Sequence, residues 1–264
     1  MSDNERQEPP RRRRGIYLLP NAITTAALFA GFFAIIAANN GDFALAAAAI
    51  FVAMVLDGMD GRIARLTNTQ SDFGVQYDSI ADMVSFGVAP ALVIYQWALA
   101  DMADYGTLWG RLGWTAAFIY TACAGLRLAR FNTQVGAVGD KRFFQGLPSP
   151  SAAGVVAGLV WVGDRLAIEG LSMYLLAAAL TVLAGVLMVS NVRYYSFKEL
   201  DFRYRVPFIV IVAVVMVLVF ATLHPPMVLF TGFMVYMGSG PVLTVIQRRR
   251  HRLRQRRSES GRSE

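Results

Sequence analysis

Cysteine and histidine are almost missing from this sequence. One cysteine, Cys123, and two histidines, His224 and His251, stand in 264 residues. A single thiol excludes an intramolecular disulfide and leaves no cysteine cluster for zinc. Cys123 has apolar or small neighbours and reads as an inert buried thiol. His224 precedes Pro225-Pro226 in what reads as a tight turn, and His251 lies in a basic segment, so neither has a partner for catalysis or metal binding. Charge is scarce too: Asp, Glu, Lys and Arg make up 16% of the chain, against 55% apolar residues. With a mean hydropathy of +0.44, that balance excludes an ordinary soluble domain. No period of about 20–50 residues recurs, which excludes a repeat array.

The apolar residues are gathered into runs long enough to cross a bilayer. The first runs from Ile16 to about Ala38, which is span length rather than signal-peptide length. A second starts near Phe43 and continues through Leu56, and a third runs from about Tyr77 to Ala100 with a kink expected at Pro90. Further spans are read over Leu112–Leu128, Ala152–Val162 with extensions on both sides, Leu171–Ser190, Pro207–Leu223 and Pro225–Ile246. The sequence therefore predicts an all-α integral membrane protein, a bundle of about eight transmembrane helices. It divides into a disordered basic tail over residues 1–14, one transmembrane domain over 15–247 and a basic tail over 248–264.

The net charge of +7 is unevenly spread. An even number of spans puts both termini on one side and leaves only Arg111 and Arg165, of 25 Lys and Arg, on the other. Such asymmetry marks the cytoplasmic face, so both termini are expected in the cytoplasm and the chain in the cytoplasmic (inner) membrane. Arginine-rich tails next to apolar spans read as anchors to anionic lipid, and no nucleic-acid partner is expected.

Between the second and third runs lies DGMDGRIARLTNTQSDFGVQYDSIAD, residues 57–82. Asp57 and Asp60 are three residues apart, and Asp78 and Asp82 are four apart, so each pair shares a helix face. Two packed helices can turn all four carboxylates into one pocket at the cytoplasmic ends of the second and third spans. Carboxylates gathered at a membrane boundary repel one another and are costly to desolvate without a cation. A hard divalent cation held by oxygens, Mg²⁺ or Mn²⁺, is the natural compensation. Asp57, Asp60 and Asp78 are the expected ligands. Asp82, one turn beyond Asp78, has either a ligand or a base role, which spacing alone does not separate. Gly61 and Gly74 allow close backbone approach by a ligand or by a neighbouring helix. Ala64 keeps the same helix surface low, and Arg65 offers a planar fork suited to phosphate. Asp72 reads as a loop charge or a helix cap.

The pattern D-x-x-D-G-x-x-A-R, eight residues, then G-x-x-x-D-x-x-x-D, resembles the signature of the CDP-alcohol phosphatidyltransferases, integral membrane enzymes of phospholipid synthesis. Every fixed position is matched. The resemblance implies two metal ions at the acid set and Asp82 as catalytic base toward an acceptor hydroxyl. It places Gly61, Ala64, Arg65 and Gly74 beside the CDP moiety, implies a homodimer, and makes Asn21 and Thr24 candidate nucleotide contacts. Plain helix–helix hydrogen bonding is the alternative for Asn21 and Thr24.

Three further stretches, GLRLARFN at 125–132, FQGLPSPSAAG at 144–154 and MVSNVRYYSFK at 188–198, resemble the phosphatidylserine synthase branch of that family. What this implies is transfer of the phosphatidyl group of CDP-diacylglycerol to L-serine, with release of CMP. Arg127 and Arg130 suit the serine carboxylate or the donor phosphates. Gln145 and Ser149 offer neutral hydrogen bonds, and Arg193 and Lys198 suit lipid phosphate or simple positive-inside anchoring. Glycerol 3-phosphate, an inositol phosphate or choline are alternative acceptors within the family. A cation-coupled transporter is the alternative from another class, although its ionisable groups would be spread over several spans of two related halves.

Overall fold

The computed structural model describes residues 18–67, 71–134, 143–195, 220 and 222–260. The expected N-terminal tail, Lys198 and all but the last turn of the expected seventh span, Pro207–Leu223, lie outside them. Among the described residues the chain is helical, with α1 (Leu18–Asn39), α2 (Phe43–Leu66), α3 (Asp72–Asp82), α4 (Ala89–Ile94), α5 (Thr107–Gln134), α6 (Ser149–Arg165), α7 (Leu171–Val189) and α8 (Pro225–Ser260). One element was not anticipated. Phe143–Gln145 (β1) and Arg193–Tyr195 (β2) pair as a short antiparallel ladder.

Among the described residues, five helical stretches are long and apolar enough to cross a membrane: Leu19–Asn39, Phe43–Leu66, Asp72–Tyr105, Leu171–Val189 and Pro225–Val245. Two of the expected spans fall short for physical reasons. Helix α6 has only 17 residues, and α5 carries Arg111, Arg127 and Arg130 along its length. Helix α8 runs unbroken through the boundary expected at residue 247 and on to Ser260.

Helices α1 and α2 form an antiparallel hairpin whose turn is built by one glycine. Gly41 takes φ +81°, a left-handed conformation that only glycine adopts without strain. The turn is sealed by Gly41 N–H to Ala38 O at 3.0 Å and Asp42 N–H to Ala37 O at 2.9 Å, the paired bonds of a Schellman motif. The two helices meet through alanines, with Ala30, Ala34, Ala37 and Ala38 buried against Ala46, Ala47, Ala49 and Ala53. Small side chains let backbones approach closely where hydrophobicity gives no drive between helices. Gly154 and Gly158 of α6 serve α8 in the same way: a Cβ at Gly158 would stand 3.0 Å from Phe230 Cα. Large apolar residues instead face outward, among them Phe29, Phe32, Val52, Val55, Leu176, Leu183 and Val235, as a lipid-facing surface requires.

The third stretch is not a plain kinked helix. After α3 the backbone widens into a π-helix over Met83–Val88, returns to α4 at Ala89–Ile94, and widens again over Tyr95–Leu99. Pro90 sits at the start of α4. It has no N–H to offer the carbonyl of Phe86, and its ring would clash with that carbonyl in a regular α-helix. Tyr120 of α5 supplies the missing donor, its hydroxyl giving a 3.0 Å bond to Phe86 O. Thr121 gives a 3.3 Å bond to Gly87 O, and Ser85 gives one of 3.2 Å to Ala27 O on α1. The π segment begins at the residue after Asp82, and it is held from both sides.

Candidate active site

The acid motif is helical on both sides of its loop. Asp57, Asp60, Gly61, Ala64 and Arg65 all lie within α2, and Gly74, Asp78 and Asp82 all lie within α3. Helix α3 starts at Asp72, five residues before the expected Tyr77. The cap is Ser71, not Asp72: Ser71 Oγ accepts the Gly74 N–H at 3.0 Å. An N-cap side chain satisfying the third N–H of the helix fixes its start, and the periodicity of the apolar run alone did not reveal it.

Helices α2 and α3 bring three carboxylates together. One oxygen each from Asp57, Asp60 and Asp78 lies within 4.8 Å of the other two. Six oxygens around Mg²⁺ at about 2.1 Å stand roughly 3–4 Å apart, so small side-chain adjustments close this set on one ion. The donors are hard oxygens only, which fits Mg²⁺ or Mn²⁺. Asp82 lies outside this three-residue group, but its carboxyl is in hydrogen-bonding contact with that of Asp57 and in electrostatic reach of Asp78 and Arg127. It therefore borders the cluster on the side facing α5.

Helix α1 supports both halves. Thr24 Oγ donates a 2.6 Å bond to Asp60 Oδ2, and both residues are 5% exposed. Thr25 Oγ and the Tyr77 hydroxyl are 2.9 Å apart. Asn21 Oδ1 stands 3.6 Å from where a Cβ on Gly74 would be. Of the two readings of Thr24, the helix–helix bond is the one seen, and its partner is a candidate ligand.

The motif glycines differ in their surroundings. A Cβ on Gly61, or on the neighbouring Gly58, would meet nothing within 4 Å, so no protein packing requires a missing side chain there. A Cβ on Gly74 would come within 3.2 Å of Ser71 Oγ. Ala64 is half-buried, while Arg65 is exposed with its Nε donating to Gly61 O at 2.9 Å.

The two arginines of α5 have separate fates. Arg127 faces Asp82 electrostatically and donates a 2.7 Å bond to Ser149 Oγ, at the start of α6. Arg130 instead gathers backbone carbonyls: Val189 O and Gln145 O at 3.0 Å and Met188 O at 3.4 Å. It ties the C-terminus of α7 to β1. The Gln145 side chain is engaged with Asn191 Oδ1 at 2.7 Å. Arg193 is exposed in β2, anchored through its backbone N–H to Thr244 Oγ at 3.2 Å. Two residues near the site were not singled out beforehand. Asn132 Nδ2 donates to Ser79 Oγ at 3.0 Å, linking α5 to α3 next to Asp78. The Tyr236 hydroxyl donates to Tyr195 O at 3.2 Å and is in electrostatic reach of Arg127. Neither has a distinguishing sequence pattern, because both act across elements far apart in the chain.

A Helicobacter pylori protein named CDP-diacylglycerol–serine O-phosphatidyltransferase is 34% identical over 223 residues, taking in 84% of this chain and 90% of that protein. A Mycobacterium tuberculosis protein of the same name is 40% identical over 159 residues, 57% of this chain and 52% of its own. An archaetidylserine synthase from Methanothermobacter thermautotrophicus is 33% identical over 178 residues, 67% of this chain and 69% of its own. The family model for CDP-alcohol phosphatidyltransferase matches residues 17–192, a stretch that contains the whole acid cluster and the helices that hold it. The chain belongs to the CDP-alcohol phosphatidyltransferase family.

Proposed function

We propose that this protein is a phosphatidylserine synthase, transferring the phosphatidyl group of CDP-diacylglycerol to the hydroxyl of L-serine with release of CMP. The observation that carries the reading is the carboxylate cluster of Asp57, Asp60 and Asp78, with oxygens within 4.8 Å of one another, in a chain so like serine transferases along most of its length. When bound there, a pair of Mg²⁺ or Mn²⁺ ions supplies charge that offsets the pyrophosphate and the developing negative charge of phosphoryl transfer. Asp57, Asp60 and Asp78 are the ligands, with Asp82 adjoining them.

Asp82 takes the proton of the serine hydroxyl. That oxygen forms a bond to the phosphorus attached to diacylglycerol, and the bond from this phosphorus to the bridging oxygen of the pyrophosphate breaks. CMP leaves with the electron pair of that bond, its phosphate met by Arg65. The nucleotide is received at Gly61, Ala64 and Gly74, with Asn21 beside Gly74. Arg127, facing Asp82 and steadied by Ser149, meets an anionic group of the reactants. Arg130 and Gln145 act on the loop carbonyls and the ladder, and Arg193 and Lys198 meet lipid phosphate at the interface.

The membrane arrangement belongs to the same proposal. Eight spans over residues 15–247 set both termini and the acid cluster on the cytoplasmic side of the inner membrane. The basic tails, 1–14 and 248–264, rest on anionic lipid. The working unit is a homodimer.

Purified protein with CDP-diacylglycerol and Mn²⁺ or Mg²⁺ is expected to release CMP only when serine is present, and Asp82→Asn is expected to abolish that release. Release with glycerol 3-phosphate, an inositol phosphate or choline instead of serine would overturn the acceptor and keep the chemistry. No metal-dependent release with any alcohol, together with substrate flux in sealed vesicles, would overturn the enzyme reading in favour of a transporter.

A further inference from the structure

From the α1–α2 hairpin we infer that Thr24 is a positioning residue for the metal centre, orienting Asp60, and does not bind the nucleotide. This rests on the proposed role of the acid cluster and assigns one residue within it. Asp42 stands midway in sequence between Thr24 and Asp60, in the turn that joins the two helices. Antiparallel helices leaving one turn pair residues equidistant from it, so the Gly41 turn itself sets Thr24 across from Asp60. Each of the two lies 18 residues from Asp42, which puts Thr24 about 23 Å from the end of α1 and Asp60 about 26 Å from the start of α2 at 1.5 Å per residue.

A threonine hydroxyl carries one proton. Two acceptors stand near that of Thr24: Asp60 Oδ2 at 2.6 Å and Pro20 O at 3.1 Å. The carboxylate is nearer, and bonds to ionised acceptors are the shorter and stronger kind. One oxygen of Asp60 is thereby fixed, and the carboxylate also accepts the backbone N–H of Gly61. Asp60 is buried, and a buried carboxylate with a free rotamer would satisfy itself elsewhere when the site is empty of cation. Thr24 holds it ready. Outer partners of this kind typically change metal affinity by about 10–100-fold when removed. Asn21 and Thr25, on the same helix, turn instead toward Gly74 and Tyr77, so α1 offers a separate side chain for the nucleotide side of the pocket.

The test is direct Mn²⁺ binding to the full-length protein in detergent, followed by the spin-resonance signal of free Mn²⁺, beside steady-state kinetics at saturating Mn²⁺. Thr24→Val keeps the shape and deletes the proton; Thr24→Ser keeps the proton. The expected result is a Kd for Mn²⁺ weakened about 10–100-fold in Thr24→Val and held within about threefold in Thr24→Ser. The KM for CDP-diacylglycerol at saturating Mn²⁺ should stay within about threefold in both. Unchanged Mn²⁺ affinity in Thr24→Val with a raised KM for CDP-diacylglycerol would overturn the inference and make Thr24 a nucleotide contact. Wild-type protein binding Mn²⁺ no better than Asp57→Asn would overturn the metal site itself, and this inference with it. If Thr24→Val fails to fold, Thr24→Ala against Thr24→Ser carries the same contrast.

Discussion

Replacing Tyr120 by phenylalanine removes a single oxygen and is expected to loosen the helix that carries Asp78 and Asp82. Tyr120 is fully buried, and its hydroxyl reaches the Phe86 carbonyl at 3.0 Å. Pro90, four residues on, cannot serve that carbonyl. Leaving a buried acceptor without its donor costs about 1–3 kcal/mol in soluble proteins. Hydrogen bonds within membrane bundles measure less, about 0.6 kcal/mol on average and up to roughly 1.7. The geometry is good and the site is dry, so a loss of about 1 kcal/mol is expected.

The reasoning has a sharper test than that single value. In a Pro90→Ala background, residue 90 regains an N–H that can serve Phe86 O, and the Tyr120 hydroxyl becomes partly redundant. Tyr120→Phe should then cost less by at least about 0.5 kcal/mol, a coupling that a double-mutant cycle measures. Reversible unfolding in mixed micelles, followed by circular dichroism, gives the four free energies. Equal cost of Tyr120→Phe in both backgrounds would refute the link between Pro90, the π-helix and Tyr120.

Other substitutions separate binding from folding. Gly61→Ala adds a methyl group where no atom lies within 4 Å, so thermal stability should be unchanged while the KM for CDP-diacylglycerol rises about tenfold, close to 1.4 kcal/mol; a normal KM would remove the nucleotide from that face. Gly158→Val drives a branched side chain toward Phe230 Cα, 3.0 Å from the built Cβ, and should cost about 1–3 kcal/mol of stability, read in the same unfolding assay. Arg127→Gln should lower CMP release at least about tenfold, roughly 1.4 kcal/mol of barrier, with little change in the unfolding midpoint. Arg130→Gln, which frees the carbonyls at the end of α7, should do the reverse and destabilise by about 1–3 kcal/mol. Matching behaviour of the two arginine variants would refute their separate assignment.

What the sequence made legible follows from distance along the chain. The four aspartates sit on two consecutive helices at spacings of three and four, and helical periodicity converts such spacing directly into a shared face. The cluster could be read before any coordinates. Arg127 and Arg130 obey the same periodicity, yet one faces Asp82 and the other binds the end of α7. Three residues turn a helix by about 300°, so the two side chains point some 60° apart; which neighbour each meets depends on α7 and β1, placed by contacts far along the sequence. Pro90 announced an irregularity but not its kind, because widening into a π-helix needs an outside donor and Tyr120 lies 30 residues later. Span counting ran out for a similar reason. The arginines of α5 lower its hydropathy, yet Arg130 spends its charge on backbone carbonyls at the end of α7 and in β1, a use that hydropathy treats as solvent exposure. Thr24 is the instructive middle case. Threonine carries no signal of its own in an apolar helix, but the turn between α1 and α2 falls in the gap between the first two apolar runs, which end at about Ala38 and start near Phe43. Counting outward equally from Asp42, in that turn, leads from Asp60 back to Thr24. A clustered carboxylate on one arm of a helical hairpin therefore points, by counting from the turn, to the residue on the other arm that should be examined as its support.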